Sequence, residues 1–204
     1  MRIAVIGGTF NPPTNAHIKL ARTAYKVLMA DLVLLVPARQ DYMRQWKNYQ
    51  SSDILSDALR MDMLHAIEAD WLKIETCEMD GVVSGSSFDT LNFIREKYQT
   101  DDIFFVVGSD KLEEIPRWSH SHELLRQNRF LVLRRNEDNV EQMILSNKFL
   151  HGRRKAFMCY TADDESNTIS STEIRNMLAA KTDPEKIRKL VPDEVFKLLM
   201  PHIT

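Results

Sequence analysis

Two short stretches, far apart in the chain, carry backbone and side chains suited to holding phosphate. The first is GGTFNPPTNAH, Gly7 to His17. Gly7 and Gly8 permit a tight turn and let main-chain amides come close to a ligand, and Pro12 and Pro13 stiffen the rest of the loop. Thr14 or Asn15 is suited to capping a helix. That puts His17 in the first turn, where unpaired N–H groups and the positive end of the helix dipole favour an anion. The second stretch is ISSTEIR, Ile169 to Arg175. Ser170 stands three residues before Glu173 in capping-box spacing, with Ser171 and Thr172 between them. Arg175 is the informative residue, because a cation near a helix start opposes the dipole unless an anion lies between them. Its planar fork of donors matches phosphate oxygens. Neither stretch has GxGxxG spacing or the GK[ST] ending of a P-loop. Together they could grip one triphosphate and stabilise charge as it develops.

The elements that must position these stretches read as α/β. Strand candidates are Arg2–Ile6, Leu32–Val36, Leu72–Glu75, Ile103–Val107, Arg129–Leu133 and Ala156–Cys159, several of them apolar on both faces. Between them lie helical patterns at Asn15–Met29, Asp53–Ala69, Phe88–Tyr98, Ser119–Gln127, Asn139–Asn147 and Ser171–Ala180. In the second, Leu55, Leu59, Met63 and Ile67 recur every four residues and form one buried stripe. The alternation predicts a doubly wound, mostly parallel sheet with ligands at the carboxyl ends of the strands, near a topological switch. The chain, 1–204, reads as a single domain, with 183–204 a small helical C-terminal appendage whose last helix opens at Pro192.

Composition narrows the function classes. With 27 basic and 29 acidic residues and a formal charge of -2, the chain lacks the basic excess of a duplex-binding domain, so no nucleic acid partner is expected. No apolar run reaches membrane-spanning length and MRIAVIGGTF is not a secretory signal, so no membrane partner is expected either. Cys77 and Cys159 stand alone, which fits reduced thiols and a cytoplasmic setting. His120 and His122 read as solvated histidines at a helix entrance, not as a metal pair, and no metal-binding residues are expected. The run HGRRK, His151–Lys155, reads as a solvated loop before a strand, with reach to the triphosphate as the alternative. A homo-oligomer is left open.

Taken in order, GGTFNPPTNAH, the GSD at Gly108–Asp110, Trp118 and ISSTEIR resemble the nicotinate or nicotinamide mononucleotide adenylyltransferases, within the nucleotidyltransferase superfamily marked by an HxGH-like element. PARQDYMRQWKNY, Arg60, Met63 and LVPDEV are similar to that family too. The resemblance implies a Rossmann-like nucleotidyltransferase that transfers AMP from ATP to the mononucleotide and releases pyrophosphate, with Mg2+ accompanying the ATP. It also implies that the amides of Gly7, Gly8, Thr9 and Phe10, with His17, hold the ATP phosphates. Ile169, Ser170, Ser171, Thr172 and Arg175 join them there, and Gly108 and Asp110 receive the adenosine ribose. Trp118 is the ring on which the pyridine stacks, and Lys47 or Arg44 meets the mononucleotide phosphate. Two departures stand out. Thr14 occupies the place of the first motif histidine, where its hydroxyl could still donate to phosphate. SGSSFDTL lacks the tyrosine of the family's SYTxDTL but keeps Ser87 and Thr90 toward the pyridine substituent. Transfer to another phosphorylated acceptor such as phosphopantetheine, or nucleotide sensing without turnover, are the alternative readings.

Overall fold

A computed structural model of the chain describes residues 1–41, 44, 55–134, 137–161 and 170–202. Its centre is a six-stranded sheet, parallel at every pairing, in the order β3-β2-β1-β4-β5-β6. The strands are β1 Ile3–Gly8, β2 Leu32–Pro37, β3 Leu72–Ile74, β4 Ile103–Gly108, β5 Arg129–Leu133 and β6 Phe157–Tyr160. All six expected strands are present, within two residues of the expected limits. Each central strand splits its side chains between two cores, as a sheet covered on both faces requires. Ile3, Val5, Phe105, Val107, Phe130 and Val132 enter one core. Ala4, Ile6, Phe104, Val106, Leu131 and Leu133 enter the other.

The second face is covered by α1 Asn15–Leu28, through Ala21, Ala24 and Leu28. The first is covered by α3 Ser87–Tyr98, α4 Ser121–Gln127 and α5 Val140–Ser146. The connection from β3 returns to the far side of β1, so the order reverses between β1 and β4 and leaves a crevice at their carboxyl ends, beside Gly8 and Gly108.

Three helices depart from the sequence reading. The second, α2, runs only Asp57–His65, because Ser56 caps it by accepting the Leu59 N–H and the chain then turns back through reciprocal bonds between Ala69 and Leu72. Next, α4 starts two residues later than expected because His120 is left-handed, φ 51°. An additional short helix, α6 Lys148–His151, succeeds α5, since the Asn147 side chain accepts from Phe149 and Leu150 and starts a new turn.

Leu59 and Met63 of α2, with Leu55 just before it and Ile67 just after it, do pack together against α7 Ser171–Ala179, α8 Pro184–Arg188 and α9 Asp193–Leu199. Pro192 caps α9, whose Val195 and Leu199 are fully buried there. The Asn15 N–H donates to Leu190 O at 2.9 Å and its side chain to Lys189 O at 3.1 Å, so the tail holds the start of α1 directly. Cys77 and Cys159 are both free; burial, with Glu75 and Glu78 nearby, pushes the Cys77 thiol up to about 12, which makes it inert.

Candidate active site

The loop after β1 wraps the start of α1. Thr14 is extended and fully buried, and its hydroxyl caps α1 by accepting the His17 N–H at 3.4 Å. His17 completes a capping box in return: its Nδ1 accepts the Thr14 backbone N–H at 3.0 Å, with Thr14 Oγ1 2.9 Å from the same nitrogen. An amide nitrogen can only donate, so Nδ1 is the acceptor and the ring proton of neutral His17 resides on Nε2. The reciprocal box expected in ISSTEIR is therefore found in TNAH instead. In ISSTEIR only half of one forms, Ser170 Oγ accepting from Glu173 N at 3.1 Å.

Gly7 and Gly8 do not use left-handed backbone; the residue that does is Phe10, φ 42°. What requires glycine at position 8 is space. A Cβ there would lie 3.0 Å from the Phe10 ring, which is fully buried and packs edge-on to His17 at 5.0 Å. Gly8→Ala is therefore expected to displace the ring toward His17 and lower kcat/KM about tenfold or more, since small misplacements near reacting groups are costly. Unchanged kinetics for Gly8→Ala would show that the ring can retreat elsewhere.

Arg60 sits under this loop with no exposed surface. It donates to Thr9 O, to Ala38 O at 2.6 Å and to Asp57 Oδ1 at 2.7 Å, tying together the carboxyl ends of β1 and β2. Asn11, also fully buried, accepts the Leu55 N–H at 3.0 Å through its side chain. Sequence reasoning assigned neither residue a role. The available signal was an arginine beside the apolar stripe of α2, between Leu59 and Met63.

ISSTEIR docks on the same loop. Ser171 Oγ donates to Pro12 O at 2.8 Å. Arg175 Nη1 donates to Asn11 O at 2.9 Å and Nη2 to Thr172 Oγ1 at 3.1 Å. The two phosphate-suited stretches thus meet at Asn11 and Pro12, although Asn11 and Arg175 lie 164 residues apart in the chain. Ile169 and Lys47 lie outside the described residues, as does most of Arg39–Ser52. Arg44, the alternative to Lys47, is exposed and bonds Gln40 Oε1 at 3.2 Å.

Across the crevice, Gly108 ends β4 and Asp110 is exposed, 3.5 Å from Lys111 Nζ. Between them, Ser109 is fully buried and donates to Asp138 Oδ2 at 2.6 Å, anchoring the turn. Trp118 is half-buried, edge-on to Phe105 at 6.1 Å. Ser87 opens α3, and Phe88 stacks on His120 at 4.8 Å, which brings the start of α3 against the Trp118 segment. His120 and His122 are exposed as expected, but each rests on a ring, His122 edge-on to Phe149.

Thr90 is nearly buried and donates to Glu78 Oε1 at 2.7 Å. Burial raises the Glu78 carboxyl from its ordinary 4.5 to about 7, against the opposing pull of the Thr90 hydroxyl. The folded chain then keeps a proton that the unfolded chain releases above pH 4.5, so stability falls as pH rises from 4.5 to about 7 and levels off beyond. Glu78→Gln keeps an acceptor for Thr90 and removes the titration. Thermal melts should match the parent near pH 4.5 and run higher at about pH 8; equal melting at both would clear Glu78 as the source.

Comparisons with known proteins agree with this outline. The family model described as cytidylyltransferase-like matches residues 5–177. The chain is 32% identical to the "Probable nicotinate-nucleotide adenylyltransferase" of Fusobacterium nucleatum over 203 residues, spanning 95% of this chain and 98% of that one. It is 28% identical to the nicotinate-nucleotide adenylyltransferase of Bacillus subtilis, spanning 94% and 96%. Among solved structures, the Plasmodium falciparum nicotinic acid mononucleotide adenylyltransferase complexed with NaAD aligns with a TM-score of 0.76 at 19% identity, over 98% of this chain and 95% of that one. The same enzyme complexed with APC gives 0.75 at 17%, with the same coverage. At these identities the structural likeness speaks to the fold.

Proposed function

Because the chain belongs to the cytidylyltransferase-like family, we propose that it is the nucleotidyltransferase that joins the AMP half of ATP to nicotinate mononucleotide, forming the dinucleotide and pyrophosphate in NAD biosynthesis. Whole-length similarity to relatives named for that reaction supports the activity. The observation in the structure that supports the reading is the docking of Arg175 on Asn11 O, which brings the loop before α1 and the start of α7 together. The names of those relatives favour nicotinate over nicotinamide as the base.

In this reading the mononucleotide phosphate attacks the α-phosphorus of ATP in line. A phosphate monoester is already an anionic nucleophile, so the protein's work is alignment and stabilisation of the leaving charge. His17 Nε2–H donates to the phosphates, oriented by the Thr14 N–H behind it. The amides of Gly7 to Phe10 and the groups of Ser170, Ser171, Thr172 and Arg175 hold the triphosphate. Gly108 and Asp110 take the ribose, Trp118 stacks on the pyridine, and Ser87 and Thr90 face its substituent. Among the described residues no three His, Cys, Asp or Glu side chains are grouped to hold a metal, so Mg2+ would ride mainly on the nucleotide's own oxygens. There it would neutralise charge on the departing pyrophosphate. The whole chain acts as one domain, its free thiols suit the cytoplasm, and its partners are small molecules.

The test is pyrophosphate release with ATP, magnesium and, separately, nicotinate mononucleotide, nicotinamide mononucleotide and phosphopantetheine. Nicotinate mononucleotide should give the highest kcat/KM. Turnover confined to phosphopantetheine, or nucleotide binding without release, would replace this reading.

A further inference from the structure

The HGRRK run does not reach the phosphate crevice. It precedes β6 and so lies at the amino ends of the strands, opposite Gly8 and Gly108. There Arg153, Arg154 and Lys155 line a cavity of about 450 Å³ together with Arg126 from α4 and Arg129 from the start of β5. Among the described residues no carboxylate lines it. Of the five cations, Arg129 is answered by Asp102 and lies over the Phe104 ring at 4.3 Å. Arg95 close by is answered by Asp101 at 3.1 Å. Arg126, Arg153, Arg154 and Lys155 have no ion pair among the described residues.

The wall is rigid. Gly152 N–H donates to Lys148 O at 3.2 Å, Arg153 N–H to Leu150 O at 2.9 Å and Ala156 N–H to Arg153 O at 2.8 Å. Arg95 Nη2 holds the neighbouring Asn128 through Oδ1 at 2.8 Å. A chain whose formal charge is -2 therefore gathers four uncompensated cations around one concavity. A cluster of like charge of this kind attracts anions. Guanidinium forks match phosphate oxygens bidentately, and the concavity is open to solvent, so an anion can enter it directly.

We propose that this cavity is a second anion site, separate from the substrate crevice, for a compact polyphosphate, either inorganic or the tail of a nucleotide. A single phosphate would leave most of the charge unanswered. A nucleic-acid strand would require a basic track continuing beyond the cavity, which the acidic Asp101 and Asp102 interrupt. The site does not rest on the reaction proposed above.

The full chain carrying His17→Ala and Arg175→Ala, which weakens phosphate binding in the crevice, is titrated with inorganic tripolyphosphate by calorimetry. One equivalent should bind, and adding Arg153→Glu and Arg154→Glu should weaken it at least about tenfold, the loss expected for charge-assisted hydrogen bonds. The neutral pair Arg153→Ala and Arg154→Ala, checked by thermal melting, gives the same direction if charge reversal disturbs folding. ATP binding as tightly as tripolyphosphate marks the phosphate chain as what is recognised; tighter ATP marks a nucleotide, and both support the site. Arg153→Glu with Arg154→Glu in the otherwise unaltered chain should leave adenylyl transfer within about twofold of the parent. Three results overturn the proposal: no binding, binding indifferent to these substitutions, or an oligonucleotide bound tenfold more tightly than tripolyphosphate.

Discussion

His17→Ala is expected to lower turnover roughly a hundredfold to a thousandfold, the range seen when one preorganised donor to developing charge is removed. The donor in question is Nε2–H, and its proton is held there because Nδ1 is occupied as an acceptor by the Thr14 amide at 3.0 Å. Alanine loses the donor and also leaves that amide without its partner. The cap through Thr14 Oγ1 survives, so the stability cost should stay near about 1 kcal/mol. Steady-state kinetics beside a denaturant titration separate the two. Turnover within tenfold of the parent, in a variant that melts normally, would take His17 out of the mechanism.

Arg60→Met should produce the largest loss of stability, about 2–6 kcal/mol, as expected when two main-chain carbonyls each lose their donor. Methionine fills much of the volume but supplies no donor. Thr9 O and Ala38 O would remain near the carboxyl ends of β1 and β2 without the guanidinium that now bonds both. Asp57, partly exposed, can turn to water, so the carbonyls dominate the cost. Arg60→Lys retains the charge but cannot span the acceptors with a planar fork, and should recover only part of the loss. Urea unfolding measures all three proteins, and a cost under about 1 kcal/mol for Arg60→Met would mean that the loop finds other donors.

The sheet was legible in the sequence because each strand is a short, mainly apolar run, a signal contained within three to six positions. The two helix starts were legible for a similar local reason: Thr14 to His17 and Ser170 to Glu173 are each three apart. Arg60 was visible as a residue but not as a strut, since its acceptors Thr9 and Ala38 lie 51 and 22 positions away. Glu78 reads as an ordinary loop acid until Thr90, 12 positions on, is folded over it. The reason for glycine at position 8 was also hidden. Its backbone is unexceptional, and the crowding comes from a phenylalanine two residues later that turns back under positive φ. Periodicity reports which face is buried; it does not report which neighbour a buried polar group finds.

The bond from the Asn15 amide to Leu190 O sets an order of events during translation. The first turn of α1 is made long before its anchor at Leu190, which lies between α8 and α9. While residues beyond Leu190 remain in the exit tunnel, α9 cannot lay Val195 and Leu199 beside Met63 and Ile174. A nascent chain would therefore hold a formed sheet but an unfinished grip on nucleotide.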